Sequence, residues 1–320
     1  MNVIERALRR VDRFHQRRRW MAFPYAVIKK FGDDQGGNLA ALVAYYGFFS
    51  LFPLLMVFTT ILGMVVARNP SLQRTLVDSS LRSFPVLGTQ ISRNIHALNG
   101  GGIVLAIGIV LTLFSGIGVI RVFETAMNTV WNVPYKKRPN FIFSVARALL
   151  MLAILGVITV LAAALGSVGA GSSTWWWWIL GAIGSLVLNF VLFMLAFRIM
   201  TTANVSWSDV RPGAILGAVA WTILQVLGGY YVGHQLKGAS ETYGTFAVVI
   251  GLLAWIYLGA QITLVAAEIN VVKKRQLWPR GLVQPPLTEA DERAYTAYAK
   301  QEERRPEEEV GVEINDRRVG

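Results

Sequence analysis

The chain has 320 residues, of which 54% are hydrophobic and 16% charged, against roughly 25% charged in soluble domains, and its mean hydropathy is +0.46. That balance excludes an ordinary soluble enzyme. A net charge of +12 points to an anionic partner, nucleic acid or phospholipid, and the position of the charge decides between them. The absence of cysteine removes any disulfide framework, thiolate metal site or Cys nucleophile.

In the first 38 residues, Ile4, Ala7, Leu8, Val11 and Phe14 recur at helical spacing while Arg6, Arg9, Arg10, Arg13 and Arg17 take other positions. This predicts a basic amphipathic helix on an anionic leaflet, with Arg9, Arg10 and Arg13 at the membrane interface. RNA would be drawn by the same charge, but no RNA-binding module accompanies it, so phospholipid is the expected partner and nucleic acid is not. A cleaved signal peptide is not expected: Pro24 interrupts the apolar run 20–28, Lys29 and Lys30 follow it, and no small-residue cleavage site appears.

The next 28 residues, 39–66, contain no charge, more than the roughly 20 a helix needs to cross hydrocarbon. Further apolar runs cover about 103–120, 148–165, 175–197, 213–233 and 244–267, giving six spans within a membrane domain 39–272. The expected fold is all-α and polytopic. Leu72, Leu76 and Leu81, ended by Pro85, predict a short amphipathic helix on the outer face. Gly- and Ser-rich residues 166–174 predict a tight turn between spans three and four. Residues 273–320 carry 10 basic and 10 acidic side chains, and read as a charged tail with a helix at most between Thr288 and Arg305 and free chain beyond. With the N-terminus inside, 26 of the 31 Lys and Arg fall on inner segments, so the positive-inside rule places both termini in the cytoplasm.

Polar groups in or beside the spans are the candidate functional residues, because each costs free energy unless it faces the bundle or a cavity. Pro53 removes the backbone bond to Phe49 in span one, and Ser50 stands where it can satisfy a freed carbonyl. A tilted, kinked helix and the broken helix of a transport site are both open there. At the inner face gather Arg121, Glu124, Asn128, Arg147, Arg198, Glu268 and Asn270, with Glu268 expected to pair with one of the arginines. A structural ionic clamp and a headgroup or proton site are its two readings. Asn189 and Gln225 lie at mid-depth. Trp175, Trp176, Trp177 and Trp178 fit an interfacial aromatic belt, with a ligand cage as the alternative.

The run 44–55, Ala-Tyr-Tyr-Gly-Phe-Phe-Ser-Leu-Phe-Pro-Leu-Leu, resembles the first-span signature of the YihY/BrkB family of bacterial inner-membrane proteins. Residues 124–131, residues 207–221 with Pro212, Gly213 and Ala214, and residues 243–268 with Trp255 and Tyr257 agree with it. Ala267 stands where the family often has Gly, which bears on packing rather than identity. The resemblance implies an envelope-integrity protein of the plasma membrane, in a family that has also carried the label of ribonuclease BN. The sequence speaks against the label: His15, His96 and His234 form no metal-ligand cluster, and no serine elbow, phosphate loop or zinc-protease motif is present. No catalytic residue, metal or cofactor is expected. Two function classes remain, a transporter or flippase for a lipid or other anionic amphiphile and a non-catalytic membrane scaffold. Small residues at Gly213-x-x-x-Gly217 permit close helix contact within the bundle or in a homo-oligomer.

Overall fold

The computed structural model describes residues 3–67, 101–170, 175–234 and 236–314. Among these residues the elements are helical: α1 (Val3–Gln16), α2 (Arg19–Asp33), α3 (Gly36–Ala67), α4 (Gly101–Val130), a 3-10 turn (Tyr135–Lys137), α5 (Phe141–Ala170), α6 (Trp175–Ile199), α7 (Trp207–His234), α8 (Leu236–Lys274) and α9 (Glu289–Gln301). Five of them, α4 to α8, contain stretches long and apolar enough to cross a membrane. The first charge-free run lies within α3, 32 residues of continuous helix and about 48 Å long at 1.5 Å per residue. The predicted amphipathic helix around Leu72–Leu81 falls outside the described residues.

Each long helix packs against its chain neighbour, and α8 returns to pack on α3, so α3 to α8 form a closed ring. Because the chain alternates direction, the starts of α3, α5 and α7 meet the ends of α4, α6 and α8 at one end. This is called the terminal end here, since α1, α2 and α9 also sit there. The core gathers at that end: Ala40 and Ala44 of α3, Ile120 to Val130 of α4, Phe193 to Phe197 of α6, and Leu264 to Val272 of α8. Further along the same helices Val157, Leu161, Trp176, Leu180, Phe246 and Ile250 are exposed, as apolar side chains solvated by lipid would be.

Several elements outrun their hydrocarbon signal. The fourth helix continues ten residues past its apolar run, carrying Arg121, Glu124 and Asn128 on helical backbone. The turn expected from residue 166 is helix up to Ala170. Small residues at Gly213 and Gly217 are spent inside the chain: Gly213 lies on the Ala266 backbone and Asn270, and Gly217 against Phe193 and Ala266. Tight approach of α7 to α8 therefore explains this spacing.

The sequence also hides a second terminal helix. In α2 the buried positions are Ala22, Ala26, Val27 and Lys30, spaced at i, i+4, i+5 and i+8, one face of an α-helix. Its Pro24 removes one backbone bond without ending the helix. The chain after α8 is not a free tail. Thr288 and Asp291 close a capping box that starts α9, and beyond Arg305 the Val310 amide donates to Glu303, whose carboxylate also lies 3.0 Å from the Lys136 ammonium. Charge balance reads as solvation in sequence, whereas here the opposite charges meet each other and the bundle.

Candidate functional site: a buried polar clamp at the terminal end

Three polar assemblies close the terminal end of the ring. The first joins α4, α5 and the α6–α7 loop. Glu124 is buried, accepts from the Ser144 hydroxyl at 2.5 Å, and pairs with Arg147 at 3.2 Å. Arg121 does not reach Glu124; its guanidinium donates to Ser144 at 3.3 Å and lies over the Phe141 ring. The Asn128 side-chain oxygen accepts from the Thr202 amide at 2.8 Å, fixing the loop after α6. Arg198 donates to the Val205 carbonyl and lies over Trp207.

The second assembly centres on Lys30, which sequence reasoning did not single out. Its ammonium is wholly buried and donates to Asp34 at 2.5 Å and to the Val130 carbonyl at 2.8 Å, with Glu268 at 3.2 Å. Glu268 thus pairs with a lysine of α2 rather than with an arginine of the inner loops. Two carboxylates surround one cation. Burial pushes the Asp34 carboxyl up, with the Lys30 charge opposing it. The i,i+4 spacing of Lys30 and Asp34 was available in the sequence, but a role in the clamp requires α2 to be helical and docked. Next to this cluster, Asn270 accepts from the Gly213 amide at 2.6 Å and so pins α7 to α8.

The third assembly fastens the segment after α8. Arg280 is completely buried, donating to Asp291 at 2.7 Å and pairing with Asp33 at 3.0 Å. Asp291 also accepts from the Gly281 amide, the Thr288 hydroxyl and Lys29. Burial alone would raise the Asp291 carboxyl; the hydrogen bonds from Arg280, Gly281 and Thr288, with the Lys29 charge, outweigh it and hold it well below the usual carboxylate range. Asp12 of α1 accepts from the Leu282 amide at 3.0 Å. The helix α1 is therefore docked by its polar side, Asp12 and His15, and leaves Leu8, Val11 and Phe14 exposed alongside Arg10 and Arg13. Arg9 of the same helix is half-buried and lines a cleft against the 283–288 segment.

The remaining candidates lie apart from the clamp. Ser50 donates to the Gly47 carbonyl at 2.7 Å, not to the Phe49 carbonyl that Pro53 frees. Pro53 sits within continuous helix. Asn189 donates to Thr222 at 3.3 Å and Gln225 at 3.4 Å, and Gln225 is itself exposed. Trp175 opens α6, and Trp176 is 59% exposed at the end of that helix remote from Arg198; the side chains of Trp175, Trp177 and Trp178 lie outside the described ones. Among the described residues no group of three or more His, Cys, Asp or Glu is placed to hold a metal ion. His15 is buried, with its ring edge-on to Tyr25.

Long apolar helices joined at one end by buried ion pairs define a polytopic α-helical membrane protein. A family model described as "Virulence factor BrkB" matches residues 27–286, and the chain belongs to this BrkB/YihY family. It is similar to the ribonuclease-like protein YfkH of Bacillus subtilis, 26% identical over 81% of this chain and 98% of that protein. It is likewise similar to the inner membrane protein YhjD of Escherichia coli, at 24% identity over 84% and 87% of the two chains. A UPF0761 membrane protein of Stenotrophomonas maltophilia is 28% identical over 81% of this chain and 62% of its own length. No solved structure matches. The matched region contains Lys30, Glu124, Glu268 and Arg280, and ends before α9.

Proposed function

We propose that the chain is a plasma-membrane protein, with its terminal end in the cytoplasm, that moves the polar head of a lipid or other anionic amphiphile between leaflets and thereby supports envelope integrity. The observation that carries this reading is Gln225. It lies about 27 Å along α7 from Trp207 at 1.5 Å per residue and is exposed, with a single 3.4 Å contact to Asn189 among the described residues. An amide presented at that depth is costly against hydrocarbon and favourable against water or a polar cargo. Asn189 and Thr222 extend the polar surface inward from it. The cytoplasmic placement is supported by the concentration of Lys and Arg at the terminal end. No catalytic step is part of the proposal.

The test is leaflet exchange of a fluorescent phospholipid in vesicles containing the full chain. Exchange faster than in protein-free vesicles, slowed by Gln225→Leu and Asn189→Leu while the thermal midpoint stays level or rises, supports transport. Vesicles with protein that exchange no faster than those without defeat it. The scaffold reading has its own observation: the charged groups of the clamp are engaged with one another or with backbone, as fixed structural joints would be. Absent exchange together with retained stability effects of clamp substitutions would establish that alternative.

A further inference from the structure

Beside the clamp, the end of α4, the loop after α6 and the end of α8 border an open cavity of about 450 Å³ lined by Trp131, Asn132, Lys137, Thr202, Lys274 and Arg275 among others. Its volume is within the range that holds a small ligand or headgroup. Helix C-termini attract cations on their own, and Arg275 does serve one, donating to the Trp131 carbonyl. That account does not extend to Lys137, which is exposed and has neither carboxylate nor carbonyl at its ammonium among the described residues. Lys274 is partly offset by Asp209 at 2.9 Å. Arg275 has no ion-pair partner among the described residues, and burial holds its guanidinium below its ordinary range, with the distant Asp34 charge opposing.

Two orphaned groups sit in the same wall. Trp131 is 2% exposed and its indole N–H has no partner; Asn132 is 4% exposed and its side-chain oxygen has none. A buried donor and acceptor left open beside an excess of cations match a phosphate with an adjoining hydroxyl, which accepts from the cations and indole and donates to the amide oxygen. The cavity lies past the charge-free runs of α4 and α8, which end at residues 120 and 267, on the polar ends of both helices.

We infer that this cavity is a binding site for a phosphate group carried on a hydroxylated head, with Lys137, Lys274 and Arg275 supplying the charge and Trp131 and Asn132 the orientation. The inference deepens the transport reading by giving the cargo a docking place at the terminal end. It is tested by binding rather than by flux, so the two fail separately: retained lipid without exchange defeats only transport.

The experiment is native mass spectrometry of the full chain in detergent doped with phosphatidylglycerol or phosphatidylcholine, beside calorimetric titration with inorganic phosphate. Lys137→Gln and Lys274→Gln should each lower phosphatidylglycerol occupancy by roughly fivefold, from the usual effect of one basic residue near an anionic headgroup. Phosphatidylcholine occupancy and the thermal midpoint should stay constant, as should phosphatidylglycerol occupancy in Lys300→Gln, a cation on the neighbouring α9 surface. Selective loss of phosphatidylglycerol with no heat from inorganic phosphate assigns the site to a lipid headgroup. Phosphate binding that both variants weaken, with the two lipids retained equally, assigns it to a soluble phosphate compound. Unchanged phosphatidylglycerol occupancy in both variants, with no phosphate binding, overturns the inference.

Discussion

At the terminal end, Lys30, Glu124, Asn128, Glu268 and Arg280 are all buried and tied into hydrogen bonds or ion pairs, and a Cβ added at Gly213 would strike the Ala266 carbonyl and the Asn270 amide. Away from that end the packing is uneven: a Cβ at Gly156, Gly181 or Gly251 meets nothing within 4 Å, whereas one at Gly228 would strike the Trp255 ring. One region is held by buried ion pairs at fixed separations, the other mainly by apolar contact, with the Asn189 amide its polar exception. Since lipid tails are as apolar as leucine, helices in a bilayer gain little from burying hydrophobic surface against each other. Small residues and paired polar groups hold them instead, and here the buried charged pairs lie at one end.

The largest effect that would break this contrast is Lys30→Met. It leaves Asp34 and Glu268 buried without their cation, and an unpaired buried charge costs about 3–5 kcal/mol. The thermal midpoint in detergent should drop sharply, and adding Glu268→Gln should recover part of the loss. A single variant as stable as the parent would show that the cluster is not a joint. Gly213→Ala comes next, at about 3 kcal/mol from overpacking and the lost bond to Asn270, read as loss of the monodisperse peak in size-exclusion chromatography.

Asp291→Asn should cost about 2 kcal/mol, the scale of hydrogen bonds to a charged group, seen as faster hydrogen exchange across residues 280–301 with α4 to α8 unaffected. The pH dependence of the same joint follows from its depressed carboxyl. Its contribution is present above the unfolded value near 3.9 and is lost as pH falls below it toward the lower folded value. Protection of residues 280–291, corrected for intrinsic exchange, should hold from neutral pH down to about 5 and decline only below about 4. Smallest of all, Gly181→Ala should change stability by less than about 1 kcal/mol and in the favourable direction, since it removes a helix-weakening glycine where space is open. A large loss there would mean that this face of α6 is covered after all.

Gaps in charge located the long helices because hydrocarbon tolerates so few ionised groups. The same signal misjudged where helices end: residues 121–130 and 207–212 are polar yet helical, since the clamp satisfies them once they leave the apolar layer. Glu124, Asn128, Arg147 and Asn270 were legible as site residues because each stands alone beside an apolar run. Lys30 and Arg280 were not, since Lys30 lies in a stretch that reads as a basic flank and Arg280 in one that reads as a solvated tail. Only tertiary docking distinguishes a buried cation from a wet one.

The joint between Lys29 and Asp291 links residues 262 positions apart, and the Asp12–Leu282 bond spans 270. During synthesis the first helices therefore emerge with Lys30 and Asp34 awaiting Glu268, and Asp33 awaiting Arg280. The end of the ring becomes complete only after the last long helix has been made and inserted, so closure reports that translation has run through all six. A chain stopped before residue 268 would hold the local Lys30–Asp34 pair without its second carboxylate and would leave Asp33 without Arg280, so the end of the ring would stay open.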